Sequence, residues 1–430
     1  QAIISKYGGD SGIMVWFVNQ VADAIKDEFP DKYVGTFAYR YTRHAPTGIV
    51  PRDNVVIRLC SIECCLLHDF EGCGMNQPFM KDLQDWSAIA KNLYIWDYAT
   101  DFSYYCLPVA NLRLLQSKIK DFCDHNAMGM LEQGDYQTRT CELKELRAYL
   151  VSKLMWNPDE DVEAIIREFT DGYYGPAGRY IREYIDYTDT VLRREGMHAD
   201  CYAIPEHNMY SQFYIRRALK VLADARKAVE DSPELVKRVE AAQLPLCYLA
   251  LETLPHEAYA MGLDKQFKKI VEQEGIVKMS EQRDVPSVSA YVARLDELAS
   301  MFRNGAHQLP AIDIKPQKQG VEYKRYEGQY LRPEDMFRKG RLVDSGIMPT
   351  LGIDEDDSKD HFGYIFNTIV AAPMDGVYVL VVHADDLVEI SIDGRHVLTH
   401  TESWTKHPTK AYVNLQKGMH KLDVRYIEDT

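Results

Sequence analysis

No stretch of about 18 uninterrupted apolar residues occurs along the 430-residue chain, so nothing in the sequence reads as a membrane-spanning helix. Basic charge is also in short supply. Fifty Lys and Arg face 65 Asp and Glu, a formal net charge of −15, and the attraction on which nucleic-acid and anionic-membrane binders rely is missing. No internal repeat is visible. Hydrophobic residues at 46% and charged residues at 27% are ordinary globular values, which excludes a disordered or fibrous chain. At roughly 150 residues per domain, the length predicts about three domains.

Cysteine is sparse and odd in number. Five of the nine, Cys60, Cys64, Cys65, Cys73 and Cys106, fall in one short region, yet no C-x-x-C pair occurs. A large domain with its own core needs no disulfides, and an odd count leaves at least one thiol over, so most read as free thiols. Cys60, Cys64, Cys65, His68 and Cys73 have the residue types of a zinc site. Without ordered ligand spacing, however, we expect them to be buried structural thiols with no metal between them. A cysteine nucleophile paired with His44 or His68 has even less to bring it together.

What is present is a regular switch of period. Apolar residues Met14, Val18, Val21, Ile25 and Phe29 recur at helical spacing behind Ser11 as a candidate cap, until Pro30 stops them. Strands follow at 33–41, 54–62, 93–97 and 127–131, with helical patterns between them. This run of parallel βα units predicts residues 1–140 as an α/β domain, and four strands suit half of a (β/α)8 barrel. A self-contained four-stranded sheet is the alternative. After residue 140 strands stop, and segments near 141–155, 159–172, 176–195, 208–230, 233–252, 257–273 and 286–304 read as an all-α domain over 141–304. A linker at 305–320 leads to an antiparallel β-sandwich at 321–430, marked by Met374-Asp375-Gly376, Ile392-Asp393-Gly394 and Lys417-Gly418 turns.

In a parallel barrel the reactive side chains come from the C-terminal ends of strands. Those ends hold Tyr39 and His44, then Glu63, then Trp96, Asp97, Tyr98 and Asp101, and finally Glu132. Carboxylates at a rim supply a general acid with a base or nucleophile, while Tyr and Trp faces stack on sugar rings, so the combination points to a carbohydrate site. Glu132 is the first choice for a catalytic carboxylate, Asp97 the second and Glu63 the third. Tyr39, His44, Tyr98, Asp101 and Trp96 are the substrate-binding candidates. Any one of these acids could instead cap the next helix. Alternation puts Trp96 and Tyr98 on the side opposite Asp97, so an inward Asp97 would send Trp96 under the outer helices.

The segments SGIMVWFVNQVADAIKDEFPDKYVGTFAYRYTRHAP, LCSIECCLLHDF, DWSAIAKNLYIWDYATDF, GMLEQGDY and LRAYLVSKLMWNPDEDVEAIIREFTDGYYGPAG resemble, in unbroken order over about residues 1–190, the domain-of-unknown-function 4838 (DUF4838) family. The resemblance implies a glycoside-hydrolase-like TIM barrel of the α-glucuronidase and β-hexosaminidase type. Its first strands are expected before Gln1, and an earlier strand could carry the general acid. It implies a carbohydrate substrate and a secreted or periplasmic location; a non-catalytic carbohydrate-binding protein on a degenerate barrel is the other outcome. YKRYEGQYLRPEDM, LVDSGIM, FGYIFNTIVAAPMDGVYVLVVHADDLVEISIDG and LQKGMHKLDVRYIE are similar to a PA14-type β-sandwich, with a further strand expected after Thr430. Some such modules hold calcium at adjacent aspartates. Asp385 and Asp386 occupy that place, but Leu387 stands where glycine is expected, and no cofactor is otherwise implied.

Overall fold

A computed structural model describes residues 6–194, 196–205, 208–281, 287–314, 319–330, 332–353, 361–384, 386–401 and 408–428. The chain divides into two compact units, 1–292 and 293–430. Residue 140 is therefore not a boundary between units, because the parallel sheet and the helices after it share the first.

The first unit opens with α1 (Asp10–Ile25). Gly9 precedes it, and Ser11, expected as the cap, is buried inside its first turn. Four strands follow, β1 (Val34–Ala38), β2 (Val55–Cys60), β3 (Asn92–Tyr98) and β4 (Ala127–Gln133), hydrogen-bonded in sequence order. All three pairings are parallel. Helices α2 (Gln77–Ile89) and α3 (Leu114–Asp124) connect the later strands. Val15, Val18 and Ala22 of α1, Phe79, Leu83 and Trp86 of α2 and Phe122 of α3 form one core with Val55, Ile57, Leu59, Leu93 and Ile95. Each fully buried Val, Leu, Ile or Phe among them contributes about 1.5–3 kcal/mol.

All three helices thus cover one face of the sheet. The other face carries Phe37, Arg58, Tyr94 and Trp96, with Phe37, Met128 and Leu131 exposed. The Arg58 guanidinium stands 5.2, 5.0 and 5.7 Å from the Phe37, Tyr94 and Trp96 ring centres, a cation shared among aromatic faces. Beside it a hollow of about 320 Å³ is lined by Gly35, Thr36, Val56 and Met128. Gly129 is required here, since a Cβ would lie 2.9 Å from the Tyr94 ring. The register shifts by one residue between Leu93 and Tyr94, opposite the start of β4.

Helices α4 (Lys144–Trp156), α5 (Val162–Tyr174), α6 (Gly178–Leu192), α7 (Gln212–Lys227), α8 (Pro233–Thr253), α9 (Pro255–Met261) and α10 (Leu263–Glu274) complete this unit up to α11 (Val288–Asn304), in which the division falls. Side chains of Asp161, Ser211 and Ser232 accept N–H groups of the first turns of α5, α7 and α8. Gly262, at φ 74°, separates α9 from α10 where one helix was expected. Among the described residues no helix is long and apolar enough to cross a membrane.

In the second unit, β5 (Val321–Glu327), β6 (Arg341–Met348), β7 (Phe362–Ala372), β9 (Val388–Ile392), β10 (Arg395–His400) and β12 (Gly418–Glu428) form an antiparallel sheet in the order β10-β9-β12-β7-β5-β6. Strands β8 (Gly376–Val382) and β11 (Thr409–Leu415) pair separately, also antiparallel. Asp393 and Gly394, at φ 51° and 77°, make the two-residue turn that their sequence predicts. The expected linker is partly structured: Leu309 bridges Leu415, and Ile312 bridges Met419. Of the aspartate pair weighed for calcium, Asp385 lies outside the described residues, and Asp386 is buried.

Candidate functional site

Glu132 and Asp97 are register partners at the ends of β4 and β3. They share a face. The face is the helix-covered one. Asp97 is fully buried, accepts a hydrogen bond from Ser61, and takes two from the Lys118 ammonium of α3, at 2.9 and 3.2 Å. Both Glu132 oxygens are shut off from solvent without a hydrogen-bond partner among the described residues. Burial, and then the Asp97 charge, push the Glu132 carboxyl up to about 8. Burial alone would pull Lys118 down; the charges of Asp97 and Glu132 outweigh it and leave the ammonium raised. Glu132 lies two positions past Met130, which packs against the helix-covered core, and so shares that face.

Glu63 lies elsewhere, half exposed and bonded to the buried Arg43. Arg43 also donates to Asp82 at 2.7 Å, and the exposed His44 ring meets the other Asp82 oxygen at 2.7 Å. Glu63 and His44 thus belong to a network under the β1–α2 connections, not to the Glu132 pair. Asp101 is buried in the loop after β3, where it accepts the Tyr104 N–H at 2.7 Å. Burial raises its carboxyl well above the usual range, and its second oxygen has no partner among the described residues.

Tyr39, Trp96 and Tyr98 occupy the opposite side, which α1–α3 do not cover. The condition that would have packed Trp96 under the helices fails, because it is Asp97 that faces them. Trp96 donates its indole N–H to Gln133 at 2.7 Å and meets Phe37 at 5.7 Å. Tyr98 packs edge-on to Phe102 at 5.7 Å, in an apolar cluster with Cys60, Tyr105 and Cys201 that Tyr39, Trp96 and Tyr202 border. Burial raises the Tyr98 and Tyr202 phenols, so both stay protonated at neutral pH.

Segments from between the later helices build the rest of this rim. The loop after β3 is stitched to them by Phe102 N–H to Cys201 O at 2.8 Å, Tyr105 N–H to Met279 O at 2.9 Å and Glu281 N–H to Phe102 O at 2.9 Å. Tyr136, just past β4, donates its phenol to Glu281 at 3.1 Å, and Lys278 donates to Gln137 at 2.8 Å. Tyr202 and Glu281 had no marker in the sequence, since only the fold brings positions so distant to the strand ends.

All nine cysteines are free thiols, and eight are buried. Burial pushes the Cys60 thiol up to about 12 and Cys64 higher still. Cys65 and Cys73, however, converge with His68 and with His198 from beyond α6.

Residues 1–186 match the family described as domain of unknown function (DUF4838), and residues 317–430 match the PA14 domain. The first match ends before His198, Tyr202 and Glu281. No curated protein matches. Similar solved structures include an anti-sigma factor domain-containing protein from Clostridium clariflavum, 18% identical over 28% of this chain, with a TM-score of 0.20. The chain spans 41% of that protein's length. The Epithelial Adhesin 9 A domain from Candida glabrata, in complex with Galb1-3GlcNAc, is 12% identical over 29% of this chain and 83% of its own, with a TM-score of 0.23. A beta-glucuronidase from Faecalibacterium prausnitzii is 17% identical over 26% of this chain and 22% of its own, with a TM-score of 0.18. TM-scores of this size establish nothing about function.

Proposed function

We propose that this chain handles carbohydrate as part of a glycoside-hydrolase-like protein, with its four parallel strands forming half of a (β/α)8 barrel and sugar bound at their C-terminal ends on the side that α1–α3 do not cover. The observation that carries this reading is the convergence there of Tyr39, Trp96 and Tyr202 with Gln133 and Glu281. Aromatic faces suit the C–H faces of sugar rings, and the amide and carboxylate suit hydroxyls. Parallel order with helices on a single face supports the barrel, since a parallel sheet is ordinarily covered on both sides. A secreted or periplasmic location belongs to the same proposal, and burial protects most of the free thiols there.

Glu281 is the rim carboxylate we assign to acid or base work, oriented by the Tyr136 phenol. Asp97 and Glu132 are assigned to positioning, as a charge-balanced trio with Lys118 that fixes the ends of β3 and β4. Hydrolysis needs a second carboxylate across the sugar from Glu281. Because Asp97 and Glu132 face the other way, a purely binding role is the second reading.

A glycan array, followed by calorimetry and turnover measurements on the best binder, tests both. Glu281→Gln is expected to leave affinity within a factor of about two while abolishing hydrolysis. Binding without turnover in the parent protein favours the second reading, and the absence of glycan binding contradicts the proposal.

A further inference from the structure

Four side chains outside the carbohydrate rim come together from three places in the chain. Cys65 and His68 stand in the loop after β2, Cys73 stands just before α2, and His198 follows α6, 125 positions after Cys73. Their donor atoms all lie within 4.8 Å of one another. Cys65 Sγ is 3.4 Å from His68 Nδ1, and Cys73 Sγ is 3.5 Å from His198 Nδ1. In a tetrahedron with Zn–S near 2.3 Å and Zn–N near 2.0–2.1 Å, the S···N edge is about 3.6 Å. Both contacts therefore already sit at the edge length of a zinc tetrahedron.

An ordinary thiol–imidazole hydrogen bond would explain either contact alone. It does not explain why the two pairs face each other, with the imidazole centres 4.9 Å apart. We propose that Cys65, His68, Cys73 and His198 bind one Zn²⁺ as a closed structural site.

The surroundings fit that assignment. The Leu67 N–H points at Cys65 Sγ at 3.4 Å, a donor suited to a thiolate. Asn76 accepts the Cys65 N–H at 2.7 Å, and its amide donates to the carbonyls of Cys65, His68 and Asp69 at 3.1–3.3 Å. One buried amide therefore fixes the backbone of two ligands, as outer-shell groups of metal sites do. Leu66 N–H donates to Ala199 O at 2.7 Å and Arg193 to Leu67 O at 3.2 Å, which ties the ligand loop to the segment carrying His198. Both cysteines are buried and both histidines only partly so, leaving a path by which metal can enter.

Binding replaces two S–H bonds with two Zn–S bonds and releases two protons. With all four positions filled by protein, no open site is left for substrate or water, so the metal acts as a staple. What it staples is the β2–α2 loop to the 198–202 segment. Leu66, Cys201 and Tyr202 belong to the apolar cluster beneath the proposed sugar rim, so the site supports that rim from behind.

Elemental analysis of protein produced with zinc and purified under reducing conditions tests the proposal. It should contain about one zinc per chain, with the content lowered at least about tenfold in Cys65→Ser, Cys73→Ser and His198→Ala and retained in Cys64→Ser. Cobalt(II) should give the intense visible absorption of a tetrahedral thiolate complex. Should the variants fail to fold, the parent protein decides: removing zinc with a chelator should lower its melting temperature, and stoichiometric Zn²⁺ should restore it. Reduced, folded parent protein that takes up neither Zn²⁺ nor Co²⁺ overturns the site, and so does zinc retained in the Cys65→Ser/Cys73→Ser double variant.

Discussion

The two faces of the β1–β4 sheet are one residue out of phase and chemically opposite. On the helix-covered face the apolar run Leu93, Ile95 ends in Asp97, with Glu132 beside it and Lys118 above. On the other face Tyr94, Trp96 and Tyr98 run beside Arg58 and toward Tyr202. The two carboxylates are buried with their ammonium on the covered face, and the aromatic side chains gather round Arg58 on the other. Proximity of two carboxylates is thus not by itself an active site: what decides is the face of the strand they occupy.

The sharpest way to break this comparison is to remove the cation from the covered face. Lys118→Met strands Asp97 and Glu132 together in the core, and should cost about 3–5 kcal/mol by chemical denaturation at neutral pH. A loss below about 1 kcal/mol would mean that water reaches the trio.

Glu132 sharpens it through pH. The unfolded chain ionises this group near its ordinary 4.5 and the folded protein near about 8. Between those values the folded state holds the extra proton, so this group's contribution to stability is present at lower pH and falls as pH rises through the window. Glu132→Gln should flatten that decline and gain most against the parent at the upper end of the window. Parallel stability–pH curves for the two proteins would show that Glu132 is not proton-loaded in the fold.

The smallest effect is expected at Glu63. Its half-exposed pair with Arg43 is screened, and Arg43 keeps Asp82 at 2.7 Å, so Glu63→Gln should cost about 1 kcal/mol or less in the same denaturation measurement.

Short apolar runs made the four strands and their parallel order legible, and turn chemistry located features such as Asp393-Gly394. Strand phase was less legible, because a parallel strand is flanked by apolar neighbours on both faces and NLYIWDY alternates in two consistent ways. Local periodicity also cannot bring Glu281 to Tyr136, or His198 to Cys73, since such contacts depend on how the loops between helices return to the strand ends. The cysteines illustrate the same limit: Cys60 and Cys64 are inert core thiols, while the partner that distinguishes Cys65 and Cys73 lies far along the chain.

The most direct test sets one residue from each face against the other in a glycan-binding assay. Using calorimetry with the best ligand from an array, and circular dichroism to verify folding, Trp96→Ala should weaken binding about tenfold, near 1.4 kcal/mol, while Glu132→Gln leaves it unchanged. The reverse pattern, affinity lost in Glu132→Gln and kept in Trp96→Ala, would contradict the assignment of sugar to the face that α1–α3 do not cover.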